Sequence, residues 1–304
     1  LKKPVKNVAA SVRQRLLNLA HERNESFDLV LTKFGLERLL YRISRSPYRN
    51  KLVLKGALLF ELWTEQRYRP TRDADFLARS DNSPAAVTAM FRDICSLEAP
   101  DDGVQFDPAT VKAERIIEDA DYEGIRVTFM GYLENARIPI QVDLGFGDVV
   151  TPGTVETEIP PLLDMPAPKL LTYPRETVIA EKFEAVVSLG MANSRMKDLY
   201  DIASLGREFS FDGAVLTEAI RRTFEVRRTE LPAGKPVAFT PEFFGDETKR
   251  KQWAAFKNRN RAFVKDELLE AVCRQIESFL LPIVQALALH EPFQKQWRAG
   301  GLWQ

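Results

Sequence analysis

The stretch from residue 51 to 77, KLVLKGALLFELWTEQRYRPTRDADFL, sets the tightest limits on how this chain folds. Leu52, Val53 and Leu54 form a short apolar run stopped by Gly56, as a buried strand would be. Residues 57–65 then carry apolar side chains at helical spacing, and alternation returns in Asp73-Ala74-Asp75-Phe76-Leu77. The stretch therefore reads strand, glycine turn, helix, loop, strand. Residues two apart on a strand point to one face, so Asp73 and Asp75 are expected to converge just beyond a glycine turn that opens a helix. Paired carboxylates bind a hard divalent cation such as magnesium, and backbone N–H groups at a helix start donate to phosphate. Together these point to metal-assisted phosphoryl or nucleotidyl transfer.

A chain of 304 residues buries a full core and has room for two domains. Its apolar content of 45% and charged content of 28% are those of a globular protein. No apolar run of membrane-spanning length and no secretory signal is read, and no membrane partner is expected. The chain begins with Leu1 rather than Met, as a trimmed or processed start would. Cys95 and Cys273 are far apart, form no metal or redox motif and fit a reducing cytoplasm. With His21 and His290 as the only histidines, the sequence gives little support to a histidine triad or a zinc site. Charge is unevenly spread: residues 1–72 carry 16 Lys or Arg against 6 Asp or Glu, and residues 73–170 carry 7 against 19. Acids on exposed loops, such as Asp101-Asp102 and Glu118-Asp119, account for much of the second figure. Basic flanks around an acidic, metal-binding centre also suit a polyanionic substrate.

Apolar periodicity predicts helices at 8–23 and 26–45, with Asn24 and Ser26 as caps for the second, and at 83–97, with Ser83 capping ahead of Pro84. Strand patterns occupy 103–117, 124–132 and 136–144, with a hairpin turn inside 131–137. The third strand places Ile138, Ile140, Val142 and Leu144 on one face and Gln141 and Asp143 on the other. Residues 151–174 hold six prolines, which argues against regular helix or a central strand and marks a boundary. Helical patterns follow at 176–189, 194–205, 212–225, 246–257 and 265–289, the last kinked or broken at Pro282. The expected domains are 1–165, helices plus sheet, and 166–304, helical.

Asp143 supplies a third carboxylate, as a metal ligand or as the general base; a D-x-D pair plus a carboxylate on a later strand can hold two metal ions. Lys182, with Arg195 or Lys197, is placed to grip a triphosphate, with Asp198 orienting the lysine. The plainer reading makes Lys182 a solvated surface lysine and Lys197-Asp198 a surface ion pair. Between 221 and 261, Arg221, Arg222, Lys249, Arg250 and Lys251 are interleaved with Phe224, Phe243, Phe244, Trp253 and Phe256. Such a surface would neutralise RNA phosphates and stack on unpaired bases, unless the aromatics are core; the alternative acceptor face is the helix carrying Arg38, Arg42 and Arg45.

The strings LKGALLFELW…RPTRDADFL, QVDLGFGDVV and YPRETVIAEKFEAVVSLGMANSRMKDLYDI resemble the AbiEii/AbiGii toxin family, nucleotidyltransferases of the polymerase-beta-like superfamily that include the MenT-type toxins. ASVRQRLLNLA…ERLLYRISRS and FDGAVLTEAIRRTFEVRRT extend the resemblance over most of the chain. It implies an α+β, bilobed fold: a mixed-sheet nucleotidyltransferase domain with N-terminal helices, then a helical C-terminal domain, with a cleft between. It implies Asp73 and Asp75 as the metal-binding pair, Lys182 as the catalytic lysine and Asp198 as the acid of the last motif. It also implies Mg2+, an NTP substrate, an AbiEi-like antitoxin as partner, and transfer to an RNA such as the tRNA 3′ end that stops translation. The superfamily has Gly-Ser in the turn where this chain has Gly56-Ala57 preceded by Lys55, so phosphate contacts must come from backbone N–H groups and Lys55, with Arg72 nearby. Three readings stand: transfer to RNA, transfer to a protein or small molecule, and a non-catalytic binding module, which the intact carboxylates speak against.

Overall fold

Local capping accounts for where the first helices begin and end. In the computed structural model, Asn7 accepts a hydrogen bond from Ala10 N at 3.0 Å and opens helix α1 (Val8–Arg23). Ser26 accepts from Leu29 N and opens α2 (Phe27–Arg45). Asn24, expected to cap α2, instead closes α1 in the left-handed region at φ 52°, a conformation asparagine tolerates. The structure describes residues 7–64, 68, 70–119 and 122–304, with side chains throughout except at 117–119 and 122–123. Leu1, the far end of the helix expected to reach Glu65, and the side chains of Glu118 and Asp119 lie outside the described residues.

The chain forms two compact units. Unit 1 comprises Leu1–Glu65, Pro70–Gly147 and Val155–Thr172; unit 2 comprises Gln66–Arg69, Asp148–Thr154 and Tyr173–Gln304.

Unit 1 continues with β1 (Leu52–Lys55), α3 (Leu58–Trp63), β2 (Ala74–Ala78), α4 (Pro84–Ser96), β3 (Val104–Asp119), β4 (Tyr122–Leu133), β5 (Ala136–Phe146), β6 (Val155–Glu158) and β7 (Lys169–Thr172). The strands form one mixed seven-stranded sheet in the order β3-β4-β5-β2-β1-β7-β6. β2 runs parallel to β5 and β1 parallel to β7, and the other pairings are antiparallel. The fold is therefore α+β. The β4–β5 turn is tighter than the span expected for it, because Leu133 pairs with Ala136 and Glu134 takes φ 54°. Ile138, Ile140, Val142 and Leu144 are buried as the alternation of β5 requires.

The proline-rich stretch departs from expectation. β7 lies inside it and is hydrogen-bonded on both sides, to β1 and to β6. The prolines spare both strands: Pro168 and Pro174 flank β7, while Pro160, Pro161 and Pro166 fall in the connection from β6. Their missing N–H groups remove no bond from the ladder. The last passage of the chain from unit 1 to unit 2 falls at Thr172/Tyr173, after β7.

Three charged groups expected at the surface are interior. Arg42 grips Asp102 with two nitrogens, at 2.9 and 3.2 Å, and donates to Val104 O. Arg38 pairs with Glu37 at 2.5 Å and donates to Pro166 O, while Glu37 accepts from Leu162 N. Arg38, Arg42 and Asp102 are all at most 5% exposed, so the two arginines fasten loops to α2 and are closed to RNA.

Unit 2 contains α5 (Arg175–Leu189), α6 (Met196–Glu208), β8 (Phe211–Asp212), α7 (Gly213–Arg227), α8 (Pro241–Gly245), α9 (Glu247–Arg259), α10 (Leu269–Ala288) and β9 (Gln296–Trp297). Asp212 and Asp246 are N-caps, accepting from Val215 N and Lys249 N. β8 and β9 form a short antiparallel ribbon. α10 is the core helix of this unit, burying Val272, Cys273, Ile276, Phe279, Leu280 and Ile283, with Trp297 and Trp303 against the Phe279 ring. It continues unbroken through Pro282. With 20 residues and a mean hydropathy of 1.2 it is long and apolar enough to cross a membrane, which the expectation of no such stretch missed; half of it is buried within the fold.

Candidate active site

The unit 1 site grows from the sheet register. On β1 Lys55 faces Asp75 of β2, Asp75 faces Asp143 of β5, and Asp143 faces Arg126 of β4. One row across four strands thus carries cation, carboxylate, carboxylate, cation. Gly56 follows Lys55 at φ +76°, and a Cβ built there would lie 1.9 Å from Asp75 Oδ2. The turn is glycine both because its backbone is left-handed and because the Asp75 carboxylate fills the space. Ala57 starts α3 without a side-chain cap, and α3 has only six residues.

β2 begins at Ala74, so Asp73 sits at the strand's entry rather than within its alternation. Its carboxylate accepts from the Thr71 hydroxyl. Asp73 and Asp75 are both half-exposed. Asp143 is held differently: Arg126 donates Nε to Oδ1 at 2.8 Å and Nη2 to Oδ2 at 2.7 Å, and Gln141 Nε2 lies 3.3 Å from Oδ2. Arg126 was not foreseen as a site residue, because only the β4–β5 register reveals it. Arg72 is exposed and pairs with Asp28 at 2.9 Å.

Magnesium takes one or two carboxylates and completes its shell with water or phosphate oxygens. The half-exposed hard-oxygen pair Asp73 and Asp75 fits that demand. Asp143 stands beside Asp75 in the register, but both its oxygens are engaged by Arg126, and among the described residues no group of three or more His, Cys, Asp or Glu is arranged to hold an ion.

In unit 2, Lys182 of α5 reaches two buried carboxylates of α6, with Nζ 2.5 Å from Asp198 Oδ1 and 2.9 Å from Asp201 Oδ2. Arg195 Nε lies 2.7 Å from Asp198 Oδ2, and Tyr68 donates its hydroxyl to Asp201 at 2.7 Å. Lys182 is not a solvated lysine; its side chain is 14% exposed. Burial works to raise the Asp198 pKa, but the charges of Lys182 and Arg195 more than offset it and hold the carboxyl below the usual aspartate range. Lys197 turns outward and is exposed. Asp201 was legible as the i+3 neighbour of Asp198 on the same helix face; Tyr68 carried no local signal.

The expected RNA face is mostly interior or paired. Phe224, Phe243, Phe244 and Trp253 are buried, so they are core and cannot stack on bases. Lys249 is 5% exposed, donates to Asn193 O at 2.8 Å and lies over the Phe243 ring. Arg221 is exposed but bound by Glu218 and Glu225 of its own helix. Arg227 is held by Asp148, Glu181 and Glu184. Arg222, Arg250 and Lys251 are exposed, Lys251 pairing with Glu247 one turn away.

The family model described as nucleotidyl transferase AbiEii toxin, type IV TA system, matches residues 38–279. Among solved structures, JHP933 from Helicobacter pylori is 12% identical, with 84% of this chain and 91% of that one covered and a TM-score of 0.46. A candidate nucleotidyltransferase from the same species is 13% identical, with 84% and 94% covered and a TM-score of 0.46. No curated protein matches the chain.

Proposed function

The chain belongs to the AbiEii family of nucleotidyl transferase toxins from type IV toxin–antitoxin systems, and from that premise we propose that it transfers a nucleoside monophosphate from an NTP to an RNA 3′ hydroxyl, with the tRNA 3′ end as the acceptor. The observation that carries the reading is the Gly56 turn packed against Asp75, with Asp73 at the entry of the same strand. The acceptor hydroxyl gives up its proton to solvent water as its oxygen bonds to the α-phosphorus, the bond from that phosphorus to the bridging oxygen breaks, and pyrophosphate leaves with the electron pair. Asp73 and Asp75 would hold magnesium, which when bound would supply neutralisation of phosphate charge. Lys182 and Arg195, oriented by Asp198, neutralise the triphosphate. Lys55 and the backbone N–H groups at Gly56 and Ala57 add phosphate contacts. Arg222, Arg250 and Lys251 are the RNA-facing cations, and Lys249 is withdrawn from that role by its burial. The reaction takes place in the cytoplasm, blocks translation, and is countered by an AbiEi-like antitoxin.

Incubation with total RNA and each labelled NTP, with magnesium, tests this directly. Label on a tRNA-sized RNA that is lost on 3′ exonuclease treatment supports it. Label on protein or on a small molecule moves the acceptor to the second reading, which the burial of the aromatic residues favours as the runner-up. No label with any NTP in any fraction overturns the enzyme reading.

A further inference from the structure

Asp143 stands beside Asp75 in the sheet register, yet its two oxygens are both engaged by one guanidinium. The pairing is a parallel fork, the geometry in which arginine holds a carboxylate most firmly. The partners differ in exposure: the Asp143 side chain is 8% exposed and the Arg126 side chain 43%, so the carboxylate is the buried member of the pair and the guanidinium the solvent-facing one.

We propose that Arg126 is a positioning residue that serves as an exchangeable counter-charge: it holds Asp143 in line with Asp75, and a divalent ion that takes up Asp143 must first displace the guanidinium. This rests on the metal-site reading proposed above. Two neighbouring carboxylates repel, and a cation on the outer one reduces that repulsion. The same cation competes with an incoming ion for the same oxygens, so Arg126 weakens metal binding at Asp143. If Arg126 merely oriented a ligand, its removal would weaken binding instead; the two roles have opposite signs.

The test is titration of the full chain with Mn2+ alone, followed by the electron paramagnetic resonance signal of the free ion. Arg126→Gln is expected to tighten binding about fivefold or more. Arg126→Lys, which keeps the charge and loses the fork, is expected to fall between Arg126→Gln and the parent. Adding Asp143→Asn to Arg126→Gln should abolish the gain. Unchanged or weaker binding in Arg126→Gln, or a gain that survives Asp143→Asn, overturns the proposal. Should Arg126→Gln fail to fold by thermal melting, the direction shown by Arg126→Lys decides in the same way. Asp75→Asn separates the two layers of the reading. If it abolishes Mn2+ binding while Arg126→Gln has no effect, only the Arg126 role is lost. If the parent takes up no Mn2+, the metal-site reading falls with it.

Discussion

Gly56 and Asp75 share one volume: a Cβ on Gly56 would lie 1.9 Å from Asp75 Oδ2 and 2.7 Å from its Cγ. Any side chain at 56 must expel the carboxylate, and the φ of +76° adds backbone strain of roughly 1–2 kcal/mol. Gly56→Ala is expected to fold, with a lowered Tm, and to lose transfer by tenfold or more, about 1.4 kcal/mol of transition-state stabilisation. Gly147 is the control: its φ is +81°, but nothing lies within 4 Å of its built Cβ. Gly147→Ala should show the same kind of Tm loss with transfer retained. Equal losses of transfer in both variants would mean that strain, not the place of the carboxylate, is what Gly56 protects.

Asp73 and Asp75 are half-exposed and outside the apolar core. Asp73→Asn and Asp75→Asn keep the shape and remove the charge, so the chain should still fold, with a stability change of about 0.5–3 kcal/mol from the altered contacts to Thr71 and beside Gly56. Transfer at saturating magnesium should be abolished in each. Turnover equal to the parent's in either variant would remove that carboxylate from the metal-binding pair.

The local elements around this candidate site were readable without coordinates, although Asp73 falls just before β2 rather than within it. Strand, glycine turn and D-x-D are signals within a few residues of each other, and Ser26 and Ser83 marked helix starts by capping chemistry alone. What escaped depends on pairing at a distance. β7 among the prolines is a strand because β1 and β6 hydrogen-bond to it. Arg126 meets Asp143 because the β4–β5 register sets the two opposite one another. In the run Lys249-Arg250-Lys251, charge says nothing about direction; a helix turns about 100° per residue, so one member faces inward while its neighbours face water.

That inward lysine gives a prediction separating packing from RNA binding. Lys249 donates to the Asn193 carbonyl, and Asn193 in turn accepts from Arg195 N at 2.8 Å. Lys249→Met should destabilise the chain by about 1–3 kcal/mol, through a buried carbonyl left without its donor. RNA affinity should stay within twofold of the parent. Arg250→Glu with Lys251→Glu should do the reverse, weakening RNA binding and flattening its salt dependence with little change in Tm. Denaturant unfolding and filter binding across a salt series measure both quantities. Lys249→Met that weakens RNA binding without loss of stability would return that lysine to the acceptor face.

The Lys182–Asp198 pair makes stability depend on pH with a definite sign. The Asp198 carboxyl is held below the usual aspartate range, since Lys182 and Arg195 more than offset the effect of burial. A depressed folded-state pKa means that the contribution is fully present above the unfolded value of about 3.9, and is lost as pH falls through the folded value. Lys182→Ala removes the shorter of the two contacts to Asp198, at 2.5 Å, together with the 2.9 Å contact to Asp201. Breaking a buried pair on one side typically costs about 3–5 kcal/mol. The variant should therefore be markedly less stable than the parent at pH 7, with the gap narrowing as pH is lowered towards and below 4. Urea unfolding across that range measures it, and a gap that stays constant would mean that the Lys182 ammonium contributes nothing to the ionisation of Asp198. Transfer, assayed at pH 7 and below the onset of unfolding, should fall at least tenfold in Lys182→Ala, about 1.4 kcal/mol. A variant with parental turnover despite the stability loss would make Lys182 a packing residue of the α5–α6 pair and leave Arg195 to meet the triphosphate.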